Sequence, residues 1–443
     1  MQSLFTPLKA EGLTTLKIRY NWKTDEVRLF AAKEWEKDLD FSNYNNDYYA
    51  ESILTENAVF LNTKDVKELF ARHDLADYLE EVIGLIRKGK HFGMECYFNE
   101  KYNIRFMCNQ HSRKLGVNNK LHATLAGGIR RHGFEDSEIE VIIDGLNLGR
   151  AMSFKNVAAE LSFGGCKTTV HMDPLDLNNL DMLGFLAYAI DKSRTMTGPD
   201  MNFPTAMADV INEHFSMQYT SGPKSPLGET GIPTAYGAYL GLKQAVKFVT
   251  GSESLDGMSI AVQGLGAVGW YMAGHLVSED TKLIITDVNE EIAKKFISEN
   301  PNKSITYVKP DEILDVEADI LCPCAIGGII HEGNIPNLKF KYVFGPANNT
   351  LRASSQEEEI KLANLLADRG ILFQTEWWHN SAGVMCGAEE YLNGKNAKYE
   401  NVIKKIENTI PRKTWDNLTR AKELGITPAE CVYLTCQETI YGE

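Results

Sequence analysis

The stretch Ser259-Ile260-Ala261-Val262-Gln263-Gly264-Leu265-Gly266-Ala267-Val268-Gly269-Trp270-Tyr271-Met272-Ala273-Gly274-His275-Leu276-Val277 decides the fold class of this 443-residue chain. Five residues suited to a buried strand run into a G-x-G-x-x-G turn, and a helical pattern follows at once. The next strand candidate, Lys282-Leu283-Ile284-Ile285-Thr286-Asp287, ends in an acid where a Rossmann-type βαβ unit places the carboxylate for ribose hydroxyls. Gly264 suits the tight turn, Gly266 lets backbone amides approach a pyrophosphate at a helix N-terminus, and Gly269 permits close packing of helix on strand. Leu265, Ala267 and Val268 complete the loop, and Val288 follows the acid. Asp287 would repel a 2′-phosphate, so NAD is the expected dinucleotide rather than NADP.

Outward from this unit, the alternation of strand and helix patterns through about residue 375 indicates a parallel α/β sheet. The turn-rich Ser221-Gly222-Pro223-Lys224-Ser225-Pro226-Leu227-Gly228 marks a boundary before it, and a helix is expected over Thr234–Val249 after Pro233. Upstream, Tyr102–Met107 reads as a strand, Thr14–Tyr20 as another, and Asp65–Arg72 and Tyr78–Ile86 as amphipathic helices. Asn43–Tyr49 reads as an exposed loop, and the stretch from Ala388 onward as mostly helix. Four segments are expected: an N-terminal extension without evident chemistry (1–85), a substrate-binding and catalytic domain (86–228) completed by C-terminal helices (385–443), and a dinucleotide-binding domain (229–384).

A formal charge of −14, from 46 basic and 60 acidic residues, disfavours a nucleic-acid or anionic-membrane surface. No apolar run approaches the ~20 residues needed to span a bilayer, and the first residues lack a signal-peptide pattern. A soluble cytoplasmic protein is expected. Eight irregularly spaced cysteines do not form a disulfide scaffold, and Cys322-Pro323-Cys324 lacks a second ligand pair, so no metal is expected.

Two lysines are candidates for the chemistry, Lys155 in Met152-Ser153-Phe154-Lys155-Asn156 and Lys167 in Gly164-Gly165-Cys166-Lys167, although taken alone the pair reads more readily as solvated lysines beside a common turn. A lysine held by a Gly-Gly turn can approach a reacting carbon, and partial burial lowers its pKa towards the range useful for proton transfer. A second lysine nearby can hold a carboxylate.

Over roughly residues 90 to 440 the chain resembles the glutamate/leucine/phenylalanine/valine dehydrogenase family. The resemblance rests on Leu125-Ala126-Gly127-Gly128-Ile129-Arg130, the two lysine motifs, Thr197-Gly198-Pro199-Asp200, Pro233-Thr234-Ala235-Tyr236-Gly237, the G-x-G-x-x-G, Pro323-Cys324-Ala325-Ile326-Gly327-Gly328, Ala347-Asn348-Asn349-Thr350-Leu351 and Asn380-Ser381-Ala382-Gly383-Val384. It implies a two-domain α/β fold, a homo-oligomer, and NAD-dependent oxidative deamination of an amino acid, with hydride passing from Cα in a cleft that closes between the domains. By position, Lys155 would pair with the substrate α-carboxylate, supported by backbone near Gly127 and Gly128. Lys167 would polarise the developing carbonyl and activate water, and Asp200 would shuttle protons. Asn380 would help hold the amino acid; Thr234, Cys324, Ala325, Asn348 and Asn349 would touch the cofactor.

Departures are small-for-small: Cys166 and Ser381-Ala382 stand where leucine enzymes carry glycine and Ala-Gly. His379 beside Trp377-Trp378 is atypical and reads as a packing residue. Glutamate enzymes carry a lysine at the Ala126 position and a serine at the Gly387 position, both used for the side-chain carboxylate. Ala126, Gly198, Val384 and Gly387 therefore imply an apolar, roomy pocket for a bulky hydrophobic or aromatic L-amino acid. The competing readings are a dehydrogenase of the same fold acting on glutamate or a specialised biosynthetic amino acid, and a non-catalytic nucleotide sensor.

Overall fold

The computed structural model describes residues 2–44, 55–113, 123–215 and 219–442, and the chain divides into two compact units. The first comprises Met1–Asn156, Leu161–Gly228 and Gly387–Ala397. Its strands are β1 (Thr15–Asn21), β2 (Glu26–Lys33), β3 (Val59–Leu61), β4 (Gly93–Asn99), β5 (Ile104–Gln110), β6 (Leu125–Ala126), β7 (Ile129–His132), β8 (Gly164–His171) and β9 (Thr195–Met196). They follow the order β3-β2-β1-β4-β5-β8-β6-β9, with β7 also paired to β8. The β3 to β8 side is antiparallel, whereas β6 and β7 run parallel to β8.

Alternation along β1 turns Leu16 and Ile18 inward, where the amphipathic helices Thr63–Arg72 and Ala76–Lys88 cover them with Leu69, Phe70, Leu79 and Val82. Asn62 caps the first of these helices through its side chain, with Asp65 completing the capping box. The segment read as an extension is thus woven into the sheet, with Ile18 in register with Met94 of β4. On the other face Phe106 and Val170 pack with Leu183, Leu186 and the aromatic group of Trp35, Phe41 and Tyr188. Of the loop expected at Asn43–Tyr49, residues 45–49 lie outside the described residues. Tyr44, expected to be exposed, is buried and donates from its hydroxyl to Asp191 at 2.7 Å.

The second unit comprises Val157–Glu160, Glu229–Cys386 and Lys398–Glu443. Its strands β10 (Ser259–Gln263), β11 (Lys282–Thr286), β12 (Ser304–Tyr307), β13 (Ile320–Pro323), β14 (Tyr342–Val343) and β15 (Leu372–Phe373) form a parallel sheet in the order β12-β11-β10-β13-β14-β15. Renumbered within the unit this is 3-2-1-4-5-6, the dinucleotide-binding order whose strand sequence reverses at β10 and β13. Two hydrophobic layers sandwich it: Ile260, Val262 and Ile285 on one side with Leu242 and Met272, and Leu321 and Val343 on the other with Leu362 and Leu366.

The C-terminal helices depart from expectation. Tyr399–Leu424 packs along the helix Gly231–Thr250 and buries Leu418 in the first of these layers; Pro428–Tyr441 packs on Gln356–Asp368 and buries Ala429 in the second. Of the segment 385–443, expected to complete the domain of 86–228, only Gly387–Ala397 joins the first unit, whereas Lys398–Glu443 belongs to the second. The cause is where their apolar stripes find partners. Among the described residues no helix is long and apolar enough to cross a membrane.

Candidate functional site

Lys167 lies in β8, not after a turn: Gly164 and Gly165 open the strand itself. They are glycines because of close approach, since a Cβ at Gly164 would collide with the Ser112 carbonyl and one at Gly165 with the backbone of Ser153. Ser153 belongs to the helix Glu138–Ala158, which also carries the half-buried Lys155, so this helix is pressed onto the strand of Lys167. Asn109, opposite Lys167 on β5, donates from its side-chain amide to the Lys167 carbonyl at 3.1 Å. The strand is thereby fixed while the lysine side chain, only 6% exposed as a residue, reaches Asp200.

Asp200 arrives from the other side of β7. Ile129 donates to the Gly198 carbonyl at 3.0 Å and accepts from Asp200 N at 2.9 Å, so Gly198-Pro199-Asp200 runs alongside β7 as an added rung. Asp200 Oδ2 receives both Lys167 Nζ and Arg130 Nε, the latter at 3.2 Å. Burial raises the Asp200 carboxyl, but Lys167 and then Arg130 outweigh it and hold the group below the usual carboxylate range. Gly128 closes the cluster: a Cβ there would sit 3.2 Å from Lys167 Nζ and 3.3 Å from Asp200 Cβ. Gly127, whose Cβ would strike the Cys166 carbonyl, brings β6 equally close to β8.

Ala126 is fully buried on β6, paired with Gly165 and Met196. The room expected at Gly198 is partly filled, because a Cβ there would lie 2.9 Å from the Thr220 carbonyl and 3.0 Å from its hydroxyl. At Gly387 a Cβ would meet the same hydroxyl at 3.5 Å and Met196 Cε at 3.8 Å. Thr220 and Met196, which border these glycines, are not picked out by the sequence. Arg130 was missed too, although it closes the motif that begins at Leu125.

In the second unit the fingerprint turn has the shape a dinucleotide needs. Gly264 takes a left-handed φ of +95°, and a Cβ on Gly269 would collide with the Gly264 carbonyl. A Cβ on Gly266 would meet nothing within 4 Å, so the backbone there is open to an anionic ligand. Leu265, Ala267 and Val268 lie in this loop, with Ala267 exposed. Asp287 Oδ2 accepts from Leu265 N and Oδ1 from Asn289 N, both at 2.8 Å, which fixes the carboxylate beside the turn. Val288 is 94% exposed next to it, and Ile326, not singled out from sequence, is 83% exposed. Cys324 and Ala325 back the turn: Ala325 Cβ would be 2.5 Å from a Cβ on Gly264, and Cys324 Cβ 2.9 Å from one on Gly269. The open Gly266 and the two bare apolar side chains fit a dinucleotide.

Asn348, Asn349, Asn380, Thr234 and Val384 belong to this unit as well. Asn380 Nδ2 donates to Asn348 Oδ1 at 2.8 Å and to the Pro346 carbonyl at 2.9 Å, leaving its buried Oδ1 without a hydrogen-bond partner among the described residues. Asn349 is held in a left-handed conformation, φ +53°, with its N–H donating to the buried Glu376. Thr234 bonds the Thr230 carbonyl at 2.7 Å, and its hydroxyl would be 3.3 Å from a Cβ on Gly383, the neighbour of Val384. His379 is a packing residue, as expected: fully buried, it stacks on Phe344 at 3.9 Å and Nε2 donates to the Gly345 carbonyl at 3.0 Å. Burial pushes its pKa down to about 3, so it stays neutral.

Two models of one family match the chain: the Glu/Leu/Phe/Val dehydrogenase dimerisation domain over residues 114–222, and the Glutamate/Leucine/Phenylalanine/Valine dehydrogenase model over 280–435. The chain belongs to the Glu/Leu/Phe/Val dehydrogenase family. A leucine dehydrogenase of Thermoactinomyces intermedius is 37% identical over 70% of this chain and 84% of its own length. A phenylalanine dehydrogenase of Lysinibacillus sphaericus is 33% identical over 81% and 94%. Among solved structures, an L-tryptophan dehydrogenase from Nostoc punctiforme superposes with a TM-score of 0.68 at 26% identity, over 81% of this chain and 98% of that one. The protein is an amino acid dehydrogenase, an oxidoreductase of oxidative deamination that uses a nicotinamide cofactor.

Proposed function

We propose that this amino acid dehydrogenase deaminates a bulky hydrophobic or aromatic L-amino acid with NAD. The observation that carries the reading is the Lys167–Asp200 pair, a buried lysine touching a carboxylate against the side-chain-free backbone of Gly128. Bound NAD supplies the hydride acceptor. Lys155 pairs with the α-carboxylate, beside the backbone of Gly127 and Gly128, and Asn380 is the residue that the family resemblance assigns to holding the amino acid. Once Cα has lost its hydride, Lys167 orients the water that adds to the imine carbon. Asp200 takes a proton from that water and returns it to the leaving nitrogen, so the C–N bond breaks to ammonium and the 2-oxo acid.

The side-chain class follows from what surrounds Ala126 and Gly387. Among the described residues only the Thr220 hydroxyl and Met196 Cε lie within 4 Å of a Cβ at Gly387, neither of them a cation, and a γ-carboxylate buried without one costs several kcal/mol. The leucine, phenylalanine and tryptophan dehydrogenases among its relatives support the same class. NAD is favoured over NADP because Asp287-Val288-Asn289-Glu290-Glu291 contains two further acids and no cation to receive a 2′-phosphate. The cofactor is held by Gly264 to Gly269, Asp287, Val288, Cys324, Ala325, Thr234, Asn348 and Asn349. Segments 86–228 and 229–384 serve as substrate and cofactor domains, and the protein assembles as a homo-oligomer. A panel of L-amino acids with NAD or NADP, followed at the NADH absorbance band, tests the reading: turnover with hydrophobic amino acids and NAD supports it, and activity confined to glutamate or to NADP contradicts it.

A further inference from the structure

The Lys167–Asp200 pair is the end of a longer hydrogen-bonded chain. Arg130, two residues beyond Gly128 on β7, donates from Nε to Asp200 Oδ2 at 3.2 Å. Its NH1 donates to both oxygens of Asp144 at 3.1 Å, and Asp144 lies on the helix Glu138–Ala158 that also carries Lys155. Asp144 Oδ2 is bonded in turn by His132 Nε2 at 3.2 Å, whose Nδ1 meets Asp136 at 2.8 Å. The guanidinium therefore spans two carboxylates from different elements with two faces of one rigid fork. A lysine, a single point charge, cannot hold both in these directions.

The geometry points to Arg130 as a positioning residue for Asp200: anchored on Asp144, it fixes the Asp200 carboxylate against Lys167. This inference rests on the catalytic reading of Lys167 and Asp200 given above. Two cations share one oxygen of Asp200, so its orientation is set from both sides, by Lys167 from β8 and by Arg130 from β7. Arg130 is one of the charges that hold the Asp200 carboxyl low. Behind Arg130 stands Asp144, its direct partner, which His132 bonds in turn, with Asp136 on the other nitrogen of that ring. Arg130 does not carry the proton; it acts through Asp200.

The test is the pH dependence of kcat/KM for oxidative deamination, measured with L-leucine, L-phenylalanine and NAD on the full-length protein, for Arg130→Gln, Arg130→Lys and Asp200→Asn. Removing the positive charge in Arg130→Gln is expected to move the acid limb to higher pH by about one unit, so that kcat/KM on that limb falls about tenfold and recovers towards the alkaline side. Arg130→Lys keeps the charge and loses the fork, so its acid limb stays close to that of the native protein while kcat falls at every pH. Asp144→Asn, isosteric and half-exposed, serves if Arg130→Gln does not fold. Neutralising the second carboxylate strengthens the pull on Asp200 and moves the limb the opposite way, to lower pH. A uniform loss in Arg130→Gln with the acid limb unmoved, while Asp200→Asn is inactive, overturns the role of Arg130 and leaves the catalytic reading standing. Normal turnover in Asp200→Asn overturns that reading itself.

Discussion

In the first unit the proposed chemistry sits on side chains bonded to one another, the buried Lys167 with the half-buried Asp200 and Arg130; in the second, the proposed cofactor site is a glycine turn exposed at Gly266 and Ala267 with two bare apolar side chains, Val288 and Ile326. The difference follows from what each must recognise. Proton exchange needs groups whose ionisation is set by neighbours, which requires burial and fixed partners. A dinucleotide is held by amides at a helix N-terminus and a single carboxylate, which requires an open turn. Damage to one unit should therefore leave the function of the other largely intact.

The sharpest break in that division is Lys167→Ala, expected to lower kcat by about 10²–10⁴-fold while NADH still binds, because it removes the cation that orders the reacting water. Stopped-flow turnover beside NADH fluorescence titration reads both. Lys155→Ala should act differently, raising the amino-acid KM by about 10–100-fold through loss of a charge-assisted contact to the α-carboxylate, with kcat less affected. Equal KM values in native and variant protein would remove Lys155 from substrate binding.

Much of this division is readable from the residues, because glycines in fixed order report where backbone must come close. G-x-G-x-x-G and the acid that follows β11 encode their own geometry over a short span of chain, and the strand order of the second unit agrees with them. The Lys167 environment was legible only as a motif. Its Gly-Gly pair reads as a turn, yet is a strand start, because the reason for glycine is Ser112 and Ser153 pressing from elsewhere in the chain. Arg130 and Asp144 are 14 residues apart on a strand and a helix, and nothing local announces their pairing. The C-terminal helices carry apolar stripes that fit either unit, and only tertiary packing assigns 398–443 to the second. Tyr44 shows the same limit: a polar, Asn-rich context hid a buried ring.

Smaller effects sharpen the comparison within each unit. Gly387→Val should reduce kcat/KM for phenylalanine relative to leucine by about tenfold, since added methyl groups enter the space bounded by Thr220 and Met196. Unchanged selectivity would place the substrate side chain elsewhere. Asp287→Ser should narrow the preference for NAD over NADP by about tenfold without moving the amino-acid KM, as repulsion of a 2′-phosphate is relieved.

At neutral pH the least visible effect is acid lability. Burial pushes His91 in the first unit and His379 in the second down to about 3, so both stay neutral when folded. The unfolded chain takes up their protons below about pH 6.5, so stability present above that pH is lost progressively as pH falls towards 3, by about 2 kcal/mol per histidine at pH 5. Burial raises the Glu138 and Glu390 carboxyls, and these work in the opposite sense at the acid end. Thermal unfolding at pH 7.5 and 5.5 should show the lower midpoint at pH 5.5, and His379→Gln should reduce the difference.

The most direct measurement pairs two numbers on one variant: kcat for L-phenylalanine deamination and the NADH Kd of Asp200→Asn, each against the native protein. Loss of at least about a hundredfold in kcat with an NADH Kd within a factor of two is the expected result, because the isosteric amide removes only the proton carrier of the first unit. Native-like kcat, or loss of NADH binding in step with activity, would contradict the assignment of chemistry to Lys167 and Asp200 and of cofactor binding to the second unit.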